Sequence, residues 1–248
     1  MAALPFFLLG QCVAFRMAAM AYTTPVLVDI HTHSSEKRAG VLALRSLRFD
    51  SEVPAPGGTC SLGIHPWDAH EAHVGDKLDR LNRLAHSDGV LALGECGVDR
   101  AIATPVAQQL RVFEAQAAMA EDAGKPLVLH CVRAVADLLA VHRRLRPAMP
   151  WILHGFSGNV DTAAQCLRAG WYLSFGAALL EQRPRLIEAF RSIPLDRVLI
   201  ESDERPDVLR DVYHAAAAMH GLSIEAFAAR VYGNAVALFP LLRKDTHT

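Results

Sequence analysis

Residues 90–100 read VLALGECGVDR, an apolar run that ends at the acidic residue Glu95. A short apolar run next to glycine is typical of a strand that is buried on both faces, as strands are in a parallel sheet. From Pro25 onward, similar apolar runs alternate with amphipathic stretches. This alternation predicts repeated βα units around a parallel sheet.

The spacing of these runs predicts the architecture. Strands are expected at residues 26–31, 41–48, 60–65, 90–95, 127–131, 151–154, 171–175 and 197–201. Helical periodicity predicts helices over 75–86, 105–123, 134–145, 158–169, 180–191, 207–220 and 223–238. Eight strands with helices between them indicate an α/β fold, a (β/α)8 TIM barrel. The stretch 32–59 is too short for two ordinary crossover helices, so we expect a barrel abbreviated near its first three strands.

Length and composition bound the domain organisation. The chain has 248 residues, of which 52% are hydrophobic and 21% charged, as in a globular protein. Residues 25–248 are predicted to form a single TIM-barrel hydrolase domain. The apolar run from Leu4 to Phe15 is too short to span a bilayer, and no positive charge precedes it. Residues 1–24 are therefore interpreted as an N-terminal extension, with Met17 and Met20 as alternative starts to Met1.

Charge and cysteine content exclude several function classes. Because 25 Lys and Arg residues balance 26 Asp and Glu residues, no global positive field attracts nucleic acid, and any such contact must be local. The five cysteines are widely spaced without a Cys-x-x-Cys pair, which argues against a disulfide framework and indicates a reducing compartment. We expect a cytoplasmic protein with no membrane attachment and no obligate protein partner.

Strand after strand ends in a residue that can bind a metal or transfer a proton. These residues are His31, His33, His65, Glu95, His130, His154 and Asp203. In a TIM barrel the carboxyl ends of the strands converge on one face, where the chemistry takes place. One histidine at such a position would usually be structural. The recurrence at separate strand ends instead predicts one shared site.

The residue types at these positions suit two divalent ions. Alternate residues of a strand point to the same side, so His31 and His33 can reach one ion. The complete predicted ligand sets are His31, His33, Glu95 and Asp203 for one ion, and His130, His154 and a shared Glu95 for the other. A carboxylate can be shared because it has two oxygens. Nitrogen and oxygen ligands without thiolates suit Zn, Mn, Fe or Co better than a pure Mg site.

These motifs resemble the TatD family of metal-dependent hydrolases, TIM-barrel proteins related to the amidohydrolases. The similarity runs from Val26 to Phe239 and rests on VDIHTH, GIHPW, ALGECGVDR, LVLHCVRA, ILHGFSG, YLSFGA, DRVLIESD and GNAVALF. The resemblance implies divalent metals at the six ligand positions, with His65 and Arg133 near the substrate phosphate. It also implies hydrolysis of phosphodiester bonds in DNA.

The predicted function is therefore a metal-dependent phosphodiesterase, a deoxyribonuclease with 3′-5′ exonuclease-like action. It would use two divalent metal ions, such as Zn, Mn or Mg, and a metal-activated water. Asp203 would orient that water and accept its proton, Glu95 would join the two ions, and Arg133 and Arg205 would offset charge on the phosphoryl oxygens. The alternative is an amidohydrolase-like enzyme that hydrolyses a C–N or ester/lactone bond, because one barrel serves several chemistries.

The sequence departs from the family pattern in two places. The segment between the first and third strands is short, and the last strand is followed by SDERP, where many members have a small residue and then Pro-Tyr. The chain then passes from Arg205-Pro206 almost directly into the helix predicted from Asp207, so the loop that walls the substrate cleft in longer relatives is missing. We expect a compact subgroup with an altered substrate preference.

Three further residues each have two interpretations. Trp67 could stack on a nucleobase or simply pack against its neighbours. Asp99 could hold Arg100 or a ligand histidine, or it could cap a helix. Glu201 could support the ligands from behind or form an ion pair within the barrel.

Overall fold

The computed structural model describes residues 25–49, 58–70 and 72–242. Its eight strands pair in parallel and in chain order: β1 (Leu27–Thr32), β2 (Val41–Arg48), β3 (Cys60–Gly63), β4 (Val90–Asp99), β5 (Leu127–Val132), β6 (Trp151–Leu153), β7 (Tyr172–Phe175) and β8 (Val198–Ile200). The predicted TIM barrel is confirmed. All eight strands lie where the apolar runs predict them, and only β4 is much longer than expected.

The seven α-helices of the described residues also follow the sequence pattern. They are α1 (Val74–Ala85), α2 (Val106–Asp122), α3 (Val135–Leu145), α4 (Val160–Arg168), α5 (Pro184–Ser192), α6 (Leu209–Met219) and α7 (Ile224–Leu238). The largest difference is at α5, which begins later than predicted because Pro184 occupies its first turn. Searching the described helices for one long and apolar enough to cross a membrane finds none.

The connection between β1 and β2 is abbreviated as expected. Residues 33–40 contain no helix, and the chain enters β2 through Gly40, which has a φ of +72°. The connection from β2 to β3 includes residues 50–57, which lie outside the described residues. The same holds for the predicted N-terminal extension, residues 1–24.

The first and last strands meet at the carboxyl end of the barrel. Thr32 and Asp203 form a parallel bridge. The amide of Asp203 donates to the carbonyl of His31 at 2.9 Å, and the amide of His33 donates to the carbonyl of Asp203 at 3.2 Å. This closure brings the HxH pair of β1 next to the aspartate that follows β8.

The helices are fixed to the barrel by buried contacts. β1 and β4 are buried along their whole length. The Tyr213 hydroxyl on α6 accepts a hydrogen bond from the Val28 amide at 3.0 Å and donates one to the Val28 carbonyl at 2.8 Å. The outer layer thereby fixes the position of β1, which carries the predicted ligand His31 and is followed directly by His33.

Candidate metal centre

The polar strand ends converge on one pocket at the carboxyl face of the barrel. The pocket has a volume of about 210 Å³, and the predicted site residues that line it are His33, His65, Glu95, His130, His154 and Asp203. His31 lies at the same place but is fully buried. The structure thus brings together all six predicted ligands, and His65 with them.

Glu95 lies at the middle of these side chains, and its two oxygens face different histidines. Oε2 is 3.5 Å from His31 Nε2 and 3.9 Å from His33 Nε2. Oε1 is 2.5 Å from His130 Nδ1 and 2.8 Å from His154 Nε2. One carboxylate therefore separates two groups of imidazole nitrogens.

The backbone of β4 explains how Glu95 reaches this position. Gly94 and Gly97 have φ values of +113° and +154°. A Cβ at Gly94 would lie 2.2 Å from the Val128 carbonyl oxygen, and one at Gly97 would lie 2.0 Å from the His130 carbonyl oxygen. Only glycine fits so close an approach to β5. The motif GECG therefore encodes both the irregular strand and the direction of Glu95.

Asp203 completes the first group of ligand atoms. Its Oδ1 lies 3.5 Å from His33 Nε2 and 3.7 Å from His31 Nε2. The backbone at Asp203 has a φ of +53°, in the left-handed region that aspartate and asparagine enter more readily than most residues. The hydrogen bonds to β1 hold this conformation in place.

The donor atoms fit divalent cations. Three sets have their ligand atoms within 4.8 Å of one another: His31, Glu95 and His154; His31, His33 and Asp203; and His65, Glu95 and His130. Within the described residues, neither ring nitrogen of the buried His31 has a hydrogen-bond partner. Buried polar atoms normally have a partner, and a cation would provide one for a nitrogen of this kind.

His65 lies deeper in the site than the sequence suggests. The resemblance places it beside substrate phosphate. In the structure its Nε2 is 3.2 Å from His130 Nδ1 and 3.5 Å from Glu95 Oε1. His65, Glu95 and His130 thus form a group of side chains that could hold a metal ion on the Oε1 side of Glu95.

Burial and charge act against each other in this site. Burial alone would raise the pKa of Glu95, but the charge of His154 and hydrogen bonds from His130 and His154 hold that pKa well below its usual range. Burial would lower the pKa of His154, but Glu95 and Glu201 raise it well above its usual value. The site therefore favours an ionised Glu95 next to a protonated His154.

Two carboxylates hold the histidines from behind. Glu201, fully buried, has Oε1 3.4 Å from His154 Nδ1 and accepts a hydrogen bond from the Gly155 amide at 2.7 Å. Asp99 has Oδ2 3.5 Å from His130 Nε2. Arg100 pairs with Asp137 instead. Of the interpretations given for Asp99, the structure therefore shows a contact with His130 and none with Arg100, and carboxylates in this position orient imidazoles that bind a metal.

The two predicted phosphate-binding arginines do not line the pocket. Arg133 is exposed, and the nearest acidic partner of Arg205 is Asp207, at 3.9 Å. The arginine that lines the pocket is Arg48, at the end of β2. Arg48 could not be predicted as a site residue because it belongs to no sequence motif.

A sequence model of the family described as "TatD related DNase" matches residues 42–240. The chain belongs to this family. The recognition based on the strand-end motifs is therefore confirmed, and so is the assignment to metal-dependent hydrolases.

Curated relatives are about a third identical to this chain over the aligned residues. The "3'-5' ssDNA/RNA exonuclease TatD" of Edwardsiella piscicida is 38% identical over 60% of this chain, a span of 59% of that protein's own length. The enzyme of the same name from Erwinia billingiae is 32% identical over 82% of this chain and 86% of its own. The "uncharacterized metal-dependent hydrolase YcfH" of Escherichia coli K12 is 32% identical over 72% of both chains.

Solved TatD structures share the fold. The TatD homologue YjjV of Escherichia coli K12 aligns with a TM-score of 0.77 at 19% identity, over 86% of this chain and 98% of its own. A TatD family hydrolase of Entamoeba histolytica aligns with a TM-score of 0.73 at 15% identity, over 87% and 98%. At these identities the comparison supports the barrel and nothing finer.

In this TatD barrel, a buried ion pair supports the aspartate after β8. Asp29 on β1 accepts hydrogen bonds from the Ser202 amide at 2.8 Å and from the Ser202 hydroxyl at 2.6 Å. Arg38 pairs with the same carboxylate and also donates to the Pro206 carbonyl at 2.7 Å. Burial raises the pKa of Asp29, and the bonds from Ser202 and Arg38 oppose that rise. The pair thus ties three segments together next to Asp203.

Replacing Arg38 with alanine should destabilise the fold. The change would leave the fully buried Asp29 without its cation, and breaking a buried pair in this way lowers the free energy of unfolding by roughly 3 kcal/mol. Denaturant unfolding measures the change. Arg100→Ala is the matched control, because it removes an exposed pair with Asp137 and should have a smaller effect. Equal losses in the two variants would contradict the role given to Arg38.

Proposed function

We propose that this chain hydrolyses phosphodiester bonds of single-stranded DNA, as a metal-dependent 3′-5′ exonuclease. The observation that supports this best is the position of Glu95 between two groups of imidazole nitrogens. A carboxylate in that position suits two ions that share it, and paired ions are used in many enzymes of phosphodiester hydrolysis. The names of the TatD relatives, 3'-5' ssDNA/RNA exonucleases, support the nucleic-acid substrate and the polarity.

The proposed ligands are divided by the Glu95 carboxylate. His31, His33 and Asp203 would hold one ion with Oε2, and His65, His130 and His154 would surround the other with Oε1. Bound divalent ions would act as Lewis acids that lower the pKa of a water molecule and offset charge on the phosphoryl group. Zn, Mn or Mg would each serve, with the nitrogen ligands favouring the first two.

The chain's own groups supply the remaining steps. Asp203 lines the pocket with its side chain 45% exposed, so it can orient the attacking water and accept its proton. Asp99 and Glu201 keep His130 and His154 in one orientation. Arg48 lines the pocket while paired with Asp68, and it is the arginine placed to contact the phosphate.

One amidohydrolase-like alternative is disfavoured by the position of a lysine. Many enzymes of that class join their metals through a carbamylated lysine. The anion on β4 is Glu95, while Lys125 precedes β5 and its Nζ donates to the carbonyls of Ala85 and Ser87, at 2.5 and 2.8 Å. Those carbonyls lie just before β4, at the opposite end of the barrel.

We also place the protein in the cytoplasm, acting without an obligate protein partner. The four cysteines within the described residues form no disulfide. Free thiols are typical of proteins in a reducing compartment, and the cytoplasm is such a compartment.

Single-stranded DNA labelled at its 5′ end tests the proposal. With Mn²⁺, Mg²⁺ or Zn²⁺ present, we expect a ladder that shortens from the 3′ end, because the label stays on the remaining strand. EDTA should reduce cleavage to background, and added metal should restore it. Early release of labelled mononucleotide would reverse the polarity. If the folded, metal-loaded protein cut no DNA, the proposal would fail, and amide and lactone substrates would be tested next.

A further inference from the structure

Trp67 is a half-exposed aromatic ring in the wall of the metal pocket. It lies on a short 3₁₀ turn, Pro66–Asp68, that follows β3. Its exposed fraction is 49%, whereas Trp151 and Trp171, the other two tryptophans of the chain, are 2% and 0% exposed. A large ring that stays exposed in a pocket has apolar surface available for a ligand.

The ring is held in a single orientation by three neighbours. The indole Nε1–H donates to Asp99 Oδ2 at 3.0 Å. The His65 ring stands at 83° to it, with the ring centres 4.7 Å apart. The guanidinium of Arg48 lies 5.4 Å from the ring centre. A ring already fixed in this way loses little conformational entropy when a ligand packs against it.

The loop beneath the ring is fixed as well. Arg48 donates to both carboxylate oxygens of Asp68, at 2.8 and 2.7 Å, and so ties the 3₁₀ turn to the end of β2. Arg48 and Trp67 thus form one rigid wall beside His65 and Glu95. The wall combines an apolar ring face with a guanidinium that is held by Asp68, and the ring face suits the base of a nucleotide.

We propose that Trp67 stacks on the nucleobase next to the scissile phosphodiester and is a specificity-determining residue of this site. The inference rests on the proposed function, since it assumes that the phosphodiester lies at Glu95. The sequence allowed Trp67 either to stack on a nucleobase or to pack against its neighbours, and the proposal favours stacking. Because every base has an aromatic face, stacking would favour DNA that carries bases without selecting one sequence.

Kinetics on two matched oligonucleotides test the inference. One carries normal bases throughout, and the other has abasic residues at its three terminal 3′ positions. With normal DNA, Trp67→Leu should raise KM about tenfold with kcat nearly unchanged, and Trp67→Phe should restore most of the loss. With abasic DNA, wild type and Trp67→Leu should have the same KM. Leu145→Ala, another exposed apolar residue, is the control and should match wild type on both.

Fluorescence gives a readout that does not depend on turnover. Trp67 is the exposed tryptophan, so single-stranded DNA added to metal-loaded Asp203→Asn protein should quench the emission. The same titration with Asp203→Asn/Trp67→Phe protein should show little quenching.

Each contrary result has its own meaning. Equal loss on normal and abasic DNA would overturn stacking and leave Trp67 as a packing residue. A fall in kcat without a rise in KM in Trp67→Leu on normal DNA would also overturn it, because Trp67 would then act through its bond to Asp99 behind His130 and not by holding a base. If wild type cut neither DNA, the proposed function would fail, and the ligand assigned to Trp67 with it.

Discussion

Replacing Glu95 with glutamine should lower kcat on single-stranded DNA by about 10³-fold while the barrel stays folded. The two carboxylate oxygens of Glu95 face separate groups of histidines. A glutamine side chain offers one oxygen and one NH₂ group, so it can face one group as a ligand but not both. We therefore expect the variant to lose most of its capacity for the second ion as well.

Two measurements on one preparation check this result: kcat at saturating metal, and metal content after gel filtration. Glu114→Gln is the matched control, because Glu114 pairs with Arg144 away from the pocket and its loss should leave both values unchanged. Wild-type turnover by Glu95→Gln would refute the proposed two-ion site. Loss of activity together with loss of the folded circular dichroism spectrum would mean that Glu95 is needed for folding.

Replacing Asp203 with asparagine should lower kcat by about 10²- to 10³-fold with a smaller change in KM. Asparagine keeps the size of the side chain and tolerates the φ of +53° at this position, so the bridge to Thr32 should persist. The variant loses the negative charge and the ability to accept a proton from water. The loss should therefore affect turnover more than binding.

Asp207→Asn is the control for this second result. Asp207 is exposed, lies four residues further along the chain and has Arg205 as its nearest partner, at 3.9 Å. It should keep wild-type kcat, and both variants should unfold at the same denaturant concentration. If Asp203→Asn retained turnover within about twofold of wild type, Asp203 would not be the proton acceptor.

The strands and the convergence of the polar strand ends on one pocket could be predicted from the sequence because both depend on local pattern. A strand buried on both faces needs a continuous apolar run, and a parallel barrel places the next polar residue at the carboxyl face. This logic locates His31, Glu95 and His154 without further information. The end of β4 was predicted too early, at residue 95, because the close approach that glycines permit there depends on the neighbouring strand.

Other parts of the site depend on contacts between distant segments. The hydrogen bond between Ser202 and Asp29 joins residues 173 positions apart, so no local sequence pattern predicts it. Arg48 ends an ordinary strand, and only the register with β3 and the turn at Trp67 place it at the pocket. His65 could be predicted at the site, but its distance of 3.2 Å from His130 depends on how two non-neighbouring strands tilt.

The junction between β1 and β8, where the barrel closes, also positions three of the predicted ligands. A fluctuation that separates these strands would break the bridge at Thr32 and move Asp203 away from His31 and His33. An ion on the Oε2 side of Glu95 would therefore bind only while β1 and β8 are joined, because His31, His33 and Asp203 are close together only then. By linkage, an ion that binds only the closed form raises the free energy needed to separate β1 from β8. The barrel would therefore resist local opening better with metal bound than without it.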